Sequence, residues 1–179
     1  MPRIFFFAVA ISLVVLLAFR SREVRRVVPF NIAEYKAKRV IRCSPDWNEL
    51  KTWIEETDIP PMPGAGKYKW KISTKNDSAQ FYFNQGINMY YGFHIIEAMA
   101  SFKKAARFDP NCAILYWAQA LGYGPNINDF GYRASPDALA ALNKAKEFSS
   151  SASAFEKDLI QAMTVRYTAD STDVTRVQL

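Results

Sequence analysis

The fold is decided by one stretch of the sequence, residues 77–110, which reads DSAQFYFNQGINMYYGFHIIEAMASFKKAARFDP. Apolar residues recur in it at spacings of three and four, first over residues 81–90 and again over residues 95–106. This spacing puts apolar side chains on one face of an α-helix. Asp109-Pro110 ends the second run, because proline is tolerated only in the first turn of a helix. The stretch therefore predicts two amphipathic helices joined by a short turn.

A second set of residues repeats the first farther along the chain. Tyr116 and Ala120 lie 34 residues after Tyr82 and Gly86, whereas the second half of the copy is displaced by six more residues in a loop. The small residues Gly86 and Ala120 let antiparallel helices approach closely. Stacked helix pairs then cover each other's apolar faces. The predicted repeat positions are Tyr82, Gly86, Ala98, Phe102, Ala105, Pro110, Tyr116, Ala120, Ala138, Leu142 and Ala145.

These positions resemble the tetratricopeptide repeat (TPR) pattern of W-x2-L-G-x2-Y, A-x3-F and P with a 34-residue period. The resemblance covers about residues 78–169 and implies an all-α fold, with antiparallel helix pairs stacked as a TPR-like α-solenoid. The segments FYFNQGINMYYGF, EAMASFKKAARFDPNCA and ALGYGPNIN look like bacterial repeat proteins that usually carry an export signal. The resemblance implies an interaction scaffold in the bacterial cell envelope. The third copy stops after one helix. Either a partner, the N-terminal helix and the connector cap the stack, or the chain is a shortened version of a longer repeat protein, which we favour.

The N-terminus predicts an attachment to the membrane. Residues 4–19 read IFFFAVAISLVVLLAF and carry no charge, which predicts a hydrophobic helix that serves as an uncleaved anchor. A cleaved signal segment is the alternative. Residues 20–42 hold eight basic and two acidic residues, a net charge of +6 that suits anionic lipid head groups. The basic flank favours a cytoplasmic C-terminus and the family resemblance favours export, so the side of the membrane stays open.

The sequence divides into four regions. Residues 1–19 are the anchor or signal segment, and residues 20–44 are the basic juxtamembrane segment. Residues 45–77 combine a short helix with a connector that is rich in proline and glycine. Residues 78–179 form the TPR-like helical domain.

Composition and motifs argue against several functions. The charge of residues 43–179 is close to neutral, which excludes the basic face of a nucleic-acid-binding protein. Two cysteines, Cys43 and Cys112, are too few for a disulfide framework or a structural metal site. His94 is the only histidine in the chain, and we interpret it as a turn residue rather than a catalytic base. We therefore predict neither enzymatic activity nor a cofactor or metal.

The function predicted is that of a membrane-tethered scaffold that binds a peptide or protein segment in a helix-lined groove. The candidate partner-binding residues lie on the first helices of the pairs: Asn84, Asn88, Tyr91, Gln119 and Tyr123. The alternative is a helical domain that binds a small molecule or acts as an enzyme through the polar loop of residues 124–135.

Overall fold

The computed structural model describes residues 28–29, 47–124 and 134–167. The predicted anchor, most of the basic segment and residues 125–133 of the polar loop lie outside the described residues. None of the helices in the described part of the chain is both long and apolar enough to cross a membrane.

The described residues form six α-helices, which confirms the prediction of an all-helical fold. Their bounds are α1 Trp47–Glu56, α2 Asp77–Tyr91, α3 Ile95–Phe108, α4 Ala113–Tyr123, α5 Pro136–Glu147 and α6 Ala154–Arg166, with a 3-10 turn at Ser149–Ser151. The β-structure within the described ranges is one pair of two-residue parallel strands, β1 (Val28–Pro29) and β2 (Thr57–Asp58).

Capping side chains set where three of the helices begin. Asn76 accepts a hydrogen bond from Ala79 N and starts α2, and Ser135 accepts one from Ala138 N at the start of α5. Ser153 and Glu156 form the reciprocal capping box of α6 that their spacing predicts. These caps satisfy backbone N–H groups that have no partner inside the helix.

Helices that are neighbours in sequence pack against one another. The α2 helix packs against α3 and α4 against α5, while α3 contacts α4 and α6 contacts both α4 and α5. The small residues Ala98, Ala120 and Ala138 are fully buried between these helices. A Cβ atom added to Gly86 would lie 2.5 Å from Phe102 Cδ1 and 3.1 Å from Ala98 O, so only glycine fits where α2 crosses α3.

The N-terminal part of the described chain shares this core. The α1 helix packs on α3 and buries Leu50 and Ile54. The residues that follow α1 bury Ile59 and Ile72 in the same core. Residues 59–76, which we call the connector, are therefore packed against the helices and do not form a separate linker.

Candidate functional site

The connector is bound along α2 by three side-chain amides. Gln80, Asn84 and Asn88, which we call the amide row, lie four residues apart and therefore face the same side of the helix. Ile72 N donates to Gln80 Oε1 at 3.1 Å and Trp70 N donates to Asn84 Oδ1 at 3.1 Å. Asn88 binds both the N–H and the C=O group of one residue, Tyr68. Tyr68 N donates to Asn88 Oδ1 at 3.0 Å, and Asn88 Nδ2 donates to Tyr68 O at 2.8 Å.

The spacing explains why this arrangement is regular. Four helical residues advance by about 6 Å, and two residues of an extended chain advance by about 6.6 Å. An amide at every fourth helical position can therefore meet every second residue of an extended chain. Gln80 Nε2 also donates to Trp70 O at 2.9 Å, so the row binds a carbonyl group of Trp70 as well as its N–H group. The row contacts only main-chain atoms of the connector in these bonds.

A fourth amide holds the beginning of the connector. Gln85 is buried and accepts a hydrogen bond from Met62 N at 2.8 Å. Its Nε2 donates to Pro60 O at 3.2 Å and to Ser101 Oγ at 3.1 Å. The turn that follows contains Gly66, whose φ of 140° favours glycine. A side chain there would overlap Asn88, because the added Cβ would lie 2.8 Å from Asn88 Cβ.

The side chain of Trp70 fills an aromatic cluster formed by three helices. Its ring lies 5.2 Å from Phe83 on α2, 5.8 Å from Trp117 on α4 and 5.9 Å from Phe155 on α6, in each case edge to face. Such pairs add about 0.5–1.5 kcal/mol each beyond their buried area. The connector therefore crosses the surface that the first helices of the predicted pairs have in common.

A buried carboxylate attaches the end of the connector to α6. Glu156 is 1% exposed. It accepts hydrogen bonds from Ser73 N at 2.8 Å and from Ser73 Oγ, and a further one from Ser153 N at 2.8 Å. Thr74 Oγ1 donates to Asp109 Oδ2 at 2.5 Å, after α3. Two polar contacts thus fix the connector where it enters α2.

The five predicted partner-binding residues have different environments. Asn84 and Asn88 lie on the amide row and are engaged by the chain's own connector. Gln119 and Tyr123 are buried, and the Tyr123 ring packs edge to face on Trp47 of α1 at 5.1 Å. Tyr91 is 66% exposed and lies 6.3 Å from the Tyr68 ring. The structure thus leaves Tyr91 as the most accessible of the five.

Sequence reasoning missed the parts of this site that come from the connector. Gln80 and Trp70 were not candidates, although the four-residue spacing of Gln80, Asn84 and Asn88 is visible in the sequence. Such a row normally indicates a solvated helix face. Its engagement with residues 68–72 depends on a chain reversal that composition does not encode.

Three features of the described residues bear on catalysis and small-molecule binding. A cavity of about 170 Å³ lies between the connector and α2 beside Phe81 and Gln85. It is smaller than the 300–1,000 Å³ of typical ligand sites. Burial raises the pKa of the Cys112 thiol to about 12, so this cysteine is not an activated nucleophile. No group of residues able to hold a metal ion occurs within the described ranges. The centre of the polar loop, residues 125–133, lies outside them.

Comparison with family models, curated proteins and solved structures finds no match to this chain.

Proposed function

We propose that this chain is a TPR-like interaction scaffold that holds a partner polypeptide in an extended conformation along its first helices. The observation that carries the proposal is the amide row. It binds an extended segment through main-chain groups, which is how a groove accepts a peptide without requiring one particular sequence. The aromatic cluster beside the row adds a place for a large side chain, and buried aromatic contacts dominate binding energy in interfaces.

We propose that the helices are arranged as a solenoid, which would give the scaffold a continuous groove. Gly86 lies in close contact with Phe102 and with Ala98 O, and Ala98, Ala120 and Ala138 are fully buried, which is compatible with a TPR-like stack. Trp70 contacts α2, α4 and α6 at once, which is expected if these helices line one shared surface. We propose that the surface is the groove of a TPR-like stack.

Membrane tethering is the second part of the proposal. Residues 4–19 have the apolar length of a short anchor, and the basic residues 20–42 suit an anionic membrane surface of the bacterial envelope. If the proposal holds, the full chain stays with the membrane fraction after alkaline extraction, and a chain without residues 4–19 is released. Release of the full chain by alkaline extraction would contradict membrane tethering by residues 4–19.

Peptide binding is tested with the full chain in lipid nanodiscs and a display library of random short peptides. We expect enriched peptides whose affinity falls at least about tenfold in the Asn84→Ala/Asn88→Ala variant, since two backbone-binding amides are lost. Asn143→Ala, an exposed amide on α5, is the matched control and should bind like the wild type. A library without enriched peptides, or equal loss in the control, would contradict the function.

A further inference from the structure

We infer that the connector is an exchangeable occupant of the groove, which competes with a partner of the same chemistry. That partner is an extended polypeptide segment with an aromatic residue in the place of Trp70 and an aliphatic residue in the place of Ile72. The inference rests on the proposed function, because it names the partner class and the regulation of the same groove.

The hydrogen bonds of the amide row do not depend on the identity of the bound residues. The row contacts the N–H groups of Tyr68, Trp70 and Ile72 and the C=O groups of Tyr68 and Trp70. Any extended chain offers the same groups at the same spacing, except where proline removes an N–H. A partner segment therefore needs residues other than proline at the three positions that meet the row.

Selectivity comes from the side chains that point inward. Ile72 is 3% exposed, and Trp70 is half-buried in the aromatic cluster. Lys69 and Lys71 between them are exposed, as alternation along an extended chain requires. The groove thus selects an aromatic residue followed two positions later by an aliphatic one, and it leaves the alternate positions free.

The connector is held by contacts that are individually weak. A single hydrogen bond adds little net stability, because the unfolded chain makes bonds to water instead, and the bonds of Asn88 to Tyr68 lie at an exposed position. Trp117, whose ring contacts Trp70, has its Nε1 buried without a hydrogen-bond acceptor, alone among such side-chain atoms of the described residues. An unsatisfied buried donor destabilises the packed state of this cluster.

The turn before the bound segment gives the connector a place to open. Gly64 and Gly66 both have positive φ values, of 83° and 140°. The contacts on the far side, from Ser73 to Glu156, can stay in place while residues 67–72 leave. Because residues 67–72 are part of the same chain as the groove, their effective concentration there is in the millimolar range. An external peptide must compete with that concentration.

The experiment measures binding of a labelled peptide that copies residues 67–73, Lys-Tyr-Lys-Trp-Lys-Ile-Ser, to the full chain by fluorescence anisotropy. Trp70→Ala empties the aromatic cluster without changing the amide row. We expect this variant to bind the peptide at least tenfold more tightly than the wild type. A control peptide with proline at the position of the tryptophan should bind neither protein.

A second variant covers the case in which Trp70→Ala does not fold by circular dichroism. Gly66→Ala pushes a methyl group into Asn88 and loosens the connector from outside the aromatic cluster. Gly64→Ala is its matched control, because that residue also has positive φ but meets no atom within 4 Å. Gly66→Ala should bind the peptide more tightly than Gly64→Ala, and equal binding would overturn the inference.

The outcomes separate this inference from the proposed function. Library peptides that bind the wild type and Trp70→Ala equally would leave the scaffold function standing and overturn competition by the connector. Absence of binding of the copied peptide to folded Trp70→Ala would likewise overturn the inference. Tighter binding to Trp70→Ala, lost with the proline peptide, supports both.

Discussion

The Gly86 Cα and the Phe102 ring are in such close contact that no Cβ atom fits between them. An added Cβ would lie 2.5 Å from Phe102 Cδ1, inside the distance that real Cβ atoms keep. Phe102 is fully buried and its ring also lies 6.1 Å from Phe83, so it has little room to move away. This contact sets the separation of α2 and α3.

The substitution Gly86→Ala should therefore destabilise the protein although it raises helix propensity. Overpacking costs about 1–3 kcal/mol, against a propensity gain of about 1 kcal/mol. We expect a net loss of up to about 2 kcal/mol in the free energy of unfolding, measured with urea. In a Phe102→Leu background the same change should cost less. Additive effects of the two substitutions would contradict the contact.

Lys104 is a buried cation that ties the start of the connector to α3. Its Nζ donates to Ile59 O at 2.8 Å, lies 2.6 Å from Asp58 Oδ1 and stands 4.4 Å above the centre of the Tyr82 ring. Lys104→Met keeps the aliphatic stem but leaves the Ile59 carbonyl without this donor. We expect a loss of about 1–3 kcal/mol in the free energy of unfolding.

Lys103→Met is the control for this prediction. Lys103 pairs with the exposed Glu55 at 3.3 Å, and surface pairs contribute about 0–1 kcal/mol. If Lys104→Met and Lys103→Met lowered the free energy of unfolding equally, the hydrogen bond to Ile59 O would contribute no more than a surface ion pair.

Glu156→Gln should weaken the attachment of the connector to α6. The carboxylate accepts hydrogen bonds from the main-chain N–H groups of Ser73 and Ser153. In glutamine one of the two oxygens is replaced by an NH₂ group, which cannot accept a hydrogen bond. The donors that bonded to that oxygen lose their acceptor, which costs about 1–3 kcal/mol. Thermal unfolding should show a larger loss than for Ser73→Ala, which leaves the carboxylate in place. A Glu156→Gln protein as stable as the wild type would contradict this role.

The thiol of Cys112 gives a prediction about pH. Burial raises its pKa from 9.0 to about 12, so the folded protein keeps the proton at pH values where the unfolded chain loses it. This contribution to stability is complete below pH 9 and is lost as the pH rises through 12. We expect stability to fall between pH 9 and 11, and to fall less steeply in Cys112→Ala. Burial raises the pKa of Tyr167 too, so part of the slope remains.

Reagent access provides a second measurement for the same residue. In a Cys43→Ser background, which isolates Cys112, a thiol reagent at pH 8 should react much more slowly with the native protein than with the protein in urea. Equal rates would show that the thiol is not buried.

The sequence predicted the helices because their apolar periodicity and capping residues are local signals. Ser135-Pro136 and the Ser153-x-x-Glu156 box mark helix starts that the structure contains. The connector was not predictable in this way. Proline and glycine in residues 59–70 indicate a linker, and side-chain amides that bind a distant main chain leave no periodic pattern. Burial of Gln119 and Tyr123 likewise depends on packing against distant parts of the chain, such as Trp47 of α1, which meets the Tyr123 ring.

The most direct test of the account is hydrogen exchange at single-residue resolution in the full chain. The main-chain N–H groups of Tyr68, Trp70 and Ile72 should exchange slowly, because the amide row holds them. Those of Lys69 and Lys71 should exchange faster, and Asn84→Ala/Asn88→Ala should remove the protection at Tyr68 and Trp70. Equally fast exchange across residues 67–72 in the wild type would contradict binding of the connector along α2.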